Sequence, residues 1–125
     1  MRKLIAIAVC MWPLAGWSCG VCDEDKVAAT YDHSTVARAG KMRHNVVFVA
    51  VDGPVEAGSF VRRVTETAPR IRGVMRGSVR TSSAPLTFSF VIDPTVQPAA
   101  RVVDELQRQL GPLPTFRILK VTSAG

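Results

Sequence analysis

The sequence predicts an α+β fold: one antiparallel sheet carrying two helices on a single face, with an added helical segment ahead of it. Three observations predict it. From Asn45 onward the apolar residues switch between period two and period 3.6, in the order strand, helix, strand, strand, helix, strand. At 125 residues the chain has room for one domain and an appendage. It is 47% hydrophobic but only 6% aromatic, which suffices for a core, expected to be Val, Leu, Ile and Ala.

The elements follow in order. Residues 1–18 read as a signal peptide. Arg2 and Lys3 form a basic start, Leu4 to Leu14 is apolar and uncharged, and Gly16 and Ser18 fit cleavage after Ser18. The apolar run is too short to span a bilayer of roughly 30 Å. An uncleaved anchor and a buried helix are the alternatives. Lipoprotein processing at Cys19 is a weaker one, because Trp17 and Ser18 separate Leu14-Ala15-Gly16 from the cysteine. Export places the protein in the periplasm or another exported compartment, where cysteines meet oxidising conditions.

Residues 19–44 form a Cys-x-x-Cys and a helical extension. Asp23 to Lys41 reads as helical, with a joint near Asp32-His33-Ser34 where Ser34 caps a second short helix. "NVVFVAV" from Asn45 is a strand stopped by Asp52-Gly53-Pro54. Phe60, Val64, Thr67, Ala68 and Ile71 follow helical spacing, and Pro69 ends that helix. "VMRGSVRT", starting at Val74, alternates as a strand, with Arg76, Ser78 and Arg80 on one face, and "SSAP" turns the chain. "LTFSFVI" alternates more clearly, with Leu86, Phe88, Phe90 and Ile92 in register. A helix opened by Pro98 and closed by Gly111-Pro112 carries the stripe Ala99, Val102, Val103, Leu106 and Leu110. "TFRILKV" is the last strand, and residues 122–125 are a tail.

Two β-α-β halves in this order give a ferredoxin-like β-α-β-β-α-β sandwich over residues 45–121. Its second sheet face is open unless the N-terminal helical segment covers it or stands off at an edge.

Residues 45–121 also resemble the heavy-metal-associated domain of copper chaperones and metal-transporting ATPases. The likeness rests on Gly73-Val74 after the first helix, on "LTFSFVIDP", and on "VVDELQRQLG". The resemblance implies a soft-metal site of the form Met-x-Cys-x-x-Cys in the first strand-to-helix loop. Counted back from Gly73-Val74, those positions hold Val55, Ala57 and Phe60. None is a soft donor, so this loop is expected not to bind copper(I) tightly.

Cys19 and Cys22 are the candidate metal ligands instead. If Cys19 to Cys22 forms a helical turn, the two sulfurs share a face. A helix N-terminus favours the thiolate, while Asp23, Glu24 and Asp25 oppose a free thiolate and favour a cation. Two thiolates suffice for copper(I) or another soft metal ion; structural zinc usually takes four ligands, which only a dimer would supply. Oxidation to a disulfide, thiol exchange and an inert processing remnant are the competing readings. A thioredoxin-like role would need a strand before the motif, where the signal peptide stands. His33, eleven residues after Cys22, would lie about 16 Å away on a straight helix, so it reads as a surface or capping residue. His44 reads as structural.

No Ser-His-Asp order, buried carboxylate pair or phosphate loop supports an enzyme. Losing Arg2 and Lys3 takes the formal charge from +6 to +4. The arginines from Arg38 to Arg117 are dispersed and lack interleaved aromatics, so nucleic acid is not an expected partner. Arg76 and Arg80 are either an anion site on the open sheet or pair with acids of the N-terminal helix. Two functional classes follow. One is a soft-metal binding domain working with a metal transporter or other envelope protein. The other is a non-catalytic adaptor docking through its sheet or N-terminal helix. Membrane contact is expected only through an uncleaved or lipidated N-terminus.

Overall fold

The computed structural model describes residues 22–123, so the signal peptide, its cleavage site and Cys19 lie outside the described residues. The elements are α1 (Asp23–Thr30), α2 (His33–Lys41), β1 (Asn45–Asp52), α3 (Ala57–Thr67), β2 (Arg80–Ser83), β3 (Leu86–Ile92), α4 (Ala99–Leu110) and β4 (Thr115–Val121). A single turn of 3₁₀ helix, Ala68–Arg70, extends α3 across Pro69. The sheet order is β2-β3-β1-β4, and every neighbouring pair is antiparallel. This is an α+β fold with a four-stranded antiparallel sheet, compatible with the ferredoxin-like arrangement.

The two faces of the sheet bury different sets of residues. Val47 and Val49 of β1 and Phe88, Phe90 and Ile92 of β3 pack against Phe60, Val64, Val102 and Leu106 of α3 and α4. Leu86 packs at the margin of this core. Period-two alternation turns Val46, Phe48 and Val91 to the opposite face. There they meet Ala39, with Val27, Val36 and Leu119 beside them. The unbroken apolar run of β1 is thereby explained: a strand covered on both faces has no polar side to present.

Although aromatic residues are scarce, they do not stay out of the core. Phe88 lies 5.4 Å from Phe116, 5.9 Å from Phe90 and 6.2 Å from Phe60, measured between ring centroids. Phe48, on the other face, is stacked by Tyr31 at 6.1 Å. All five phenylalanines of the chain are thus used at sheet surfaces.

Two local expectations are corrected. The helical extension is two helices, and the residue capping the second is Asp32, in extended conformation, not Ser34. Ser34 and Thr35 instead donate their hydroxyls to the Asp32 carboxylate. The strand expected from Val74 is only an isolated bridge of Val74 with Ile92; β2 starts at Arg80 and includes Ser82 and Ser83. Gly77, at φ 74°, and Ser78 account for the interruption. The Ser78 hydroxyl accepts from Val91 N–H and donates to Met75 C=O, taking over ladder positions that a strand backbone would fill.

The Gly73-Val74 and Asp93-Pro94 landmarks meet in space. Asp93 N–H donates to Gly73 C=O at 2.8 Å. Gly73 sits at φ 94°, a backbone conformation in which any side chain would be strained.

Candidate functional site

α1 crosses the sheet's outer face and touches all four strands. An ion pair fixes each end. At its start Asp23 receives two guanidinium contacts from Arg117 of β4, at 3.0 and 3.3 Å. Just past its end Asp32 meets Arg80 of β2 at 2.7 Å. β4 and β2 are the two edges of the sheet, so the helix is a strap tied at both edges. Arg80 therefore pairs with an acid of the N-terminal segment, the second of the two expectations for it.

Both carboxyls are held below the ordinary aspartate range, Asp23 chiefly by the Arg117 hydrogen bond and Asp32 chiefly by the Thr35 hydroxyl. A depressed folded value stabilises the fold above the unfolded-state value, and that contribution is lost as pH falls through the folded one. Acidification below about pH 4 is therefore expected to reduce hydrogen-exchange protection of α1 and α2 before that of β1 and β3. Asp23→Asn with Asp32→Asn should remove this selective acid step. Equal loss across all elements would contradict the strap.

Cys22 is the N-terminal neighbour of this tether. It is the cap position of α1, with φ −74° and ψ 160°. Cys22 is extended and α1 begins only at Asp23; the expected turn from Cys19 to Cys22 otherwise lies outside the described residues. The Cys22 carbonyl accepts from Lys26 N–H, whereas its side chain makes no capping bond. The thiol is exposed and has no partner among the described residues. Arg117 reaches on to Asp52, the last residue of β1, with Nε 3.5 Å from the carboxylate. The thiol is thus tethered near the strand end from which the Asp52-to-α3 loop leaves.

That loop does not fit a soft metal. Phe60 is buried in the core, and Val55 packs against it. Glu56 caps α3, accepting from Gly58 N–H at 2.9 Å and Ser59 N–H at 2.8 Å. These bonds hold its carboxyl below the usual glutamate range, the Ser59 N–H chiefly. The only charged donor in the loop is an oxygen already used by the backbone.

His33 is exposed at the start of α2, separated from α1 by the break at Tyr31 and Asp32. His44 is half-buried beside β1. Among the described residues, no three His, Cys, Asp or Glu side chains converge as a metal-holding group. Likewise none of the helices described is long and apolar enough to cross a membrane.

Sequence reasoning missed Arg117 as the link between Asp23 and Asp52. A signal existed: in "TFRILKV", Phe116 and Ile118 point to one core, so Arg117 points to the face the N-terminal helices cover. No protein-family model matches the chain, and no curated protein matches it.

Proposed function

We propose that this chain is an exported, non-catalytic binding domain on a ferredoxin-like scaffold of the heavy-metal-associated type, taking up copper(I) or a similar soft ion through Cys19 and Cys22. The observation that carries the reading is the Cys22 thiol at the head of the α1 strap, exposed and without a partner among the described residues. Cys19 stands three residues before it. Two thiolates meet the needs of linear copper(I), which asks for no third ligand. Asp23, Glu24 and Asp25 give the surroundings negative charge, although Arg117 offsets Asp23. The ion is cargo on this reading, passed to or from a transporter of the envelope.

The adaptor class has less support in one respect. α1 and α2 already cover the sheet face that a partner would have docked on, which leaves the helices' outer surface and the sheet edges.

A copper(I) competition titration of the full reduced chain tests the proposal. Wild type is expected to hold one ion against a moderate chelator, and the Cys19→Ser, Cys22→Ser variant to lose it, with the affinity falling at least about a hundredfold. Equal retention by both proteins would overturn the metal reading and leave the adaptor. Counting free thiols in protein taken from the envelope, with N-terminal sequencing, checks that the pair is reduced and that Ser18 has been removed.

A further inference from the structure

A second site lies away from Cys22, between α2 and the segment leading into β2. Here a cavity of about 310 Å³ opens to solvent, at the small end of the range for ligand sites, about 300–1,000 Å³. Its charged lining is of one sign, Arg38, Arg76 and Arg80 with no acid, and His44 also lines it. Met42 and Met75 supply apolar walls, and both are conspicuous on the surface, 61% and 36% exposed.

Each arginine has to be weighed for another role. Arg80 holds Asp32, which closes the α1 strap. Arg38 stands in the last turn of α2, where a cation also suits the helix dipole. Arg76 has neither role. Among the described residues, no carboxylate lies within 4.0 Å of Arg38 or Arg76. Gly77, next to Arg76, has open space around it. Guanidinium forks are suited to planar oxyanions, and thioether walls to an apolar body. Met42, Met75 and His44 could each donate to a soft cation, but three guanidiniums in the same lining oppose any cation.

We propose that this cavity binds a small organic carboxylate with a short apolar body, its carboxylate held by Arg76 and Arg38 and its body lying on Met42 and Met75. The inference is independent of the cysteines. It returns to Arg76 the anion role that the pairing of Arg80 with Asp32 withdrew from the open sheet.

The test is a ¹⁵N chemical-shift titration of the full chain with hexanoate, acetate and hexanamide as probes. Hexanoate is expected to saturate, moving the amides of Ala39, Arg76, Gly77 and Ser78. Acetate and hexanamide are each expected to bind about tenfold more weakly, one lacking the body and the other the charge. Arg76→Gln should weaken hexanoate about tenfold while leaving the rest of the spectrum unchanged, which shows that the variant is folded. Any of three results would overturn the proposal. These are equal binding of hexanoate and hexanamide, unsaturated shifts spread over the surface, and an Arg76→Gln variant that binds hexanoate as wild type does.

Discussion

Replacing Phe88 with alanine is expected to lower folding stability by about 3–5 kcal/mol, the range for deleting a buried aromatic from a packed core. Phe88 sits at the centre of the inner layer, in contact with Phe60, Phe90 and Phe116. Its removal takes away apolar contact on three sides and leaves a void that β3, paired on both edges, cannot collapse into. A domain of this size has about 5–15 kcal/mol in all, so the variant should populate unfolded chain under mild denaturant. Urea unfolding followed by circular dichroism measures it. A loss below about 1 kcal/mol would mean that this cluster is not the centre of the core.

Removal of residues 1–44 should have an effect of similar size by a different route. The deleted segment supplies Val27, Tyr31, Val36 and Ala39, which cover Val46, Phe48 and Val91. Without it, Val46 and Phe48 of β1 and Val91 of β3 are left as an apolar patch in water. Exposed patches of that kind drive association, and the strap's two ion pairs go with them. The shortened chain is therefore expected to melt at a lower temperature and to self-associate. Light scattering and thermal unfolding of the two chains at equal concentration would show it. A monodisperse monomer with an unchanged midpoint would contradict the two-layer account of the sheet. For the same reason, the absence of copper(I) binding at Val55, Ala57 and Phe60 is better measured in the full chain than in the isolated residues 45–121.

Strands β1, β3 and β4 and the two inner-layer helices were legible because their signals are local. Strict alternation at Leu86 to Ile92 and the stripe through Val102, Leu106 and Leu110 report which side chains face a core. Pro98 and Gly111 mark where the second of those helices begins and ends. What covers the outer face was not legible from alternation alone. In β3 that face reads Thr87, Ser89 and Val91, polar enough to pass for a solvated surface, yet all three are buried. The interruption at Arg76 to Val79 was hidden because a serine hydroxyl can stand in for strand backbone, and the alternating letters persist through it. At the candidate site, the sequence showed two cysteines and three acids. It did not show that Asp23 is bound by a residue 94 positions away, since a contact of that separation has no local signature.

The central claim is that Cys19 and Cys22 together hold a soft ion. X-ray absorption at the copper edge, on the full reduced chain loaded with one equivalent of copper(I), tests it most directly. The account predicts a two-coordinate site with sulfur ligands only, and loss of that signature in the Cys19→Ser, Cys22→Ser variant. Nitrogen or oxygen ligation in the wild type, or an unchanged sulfur signature in the variant, would contradict it.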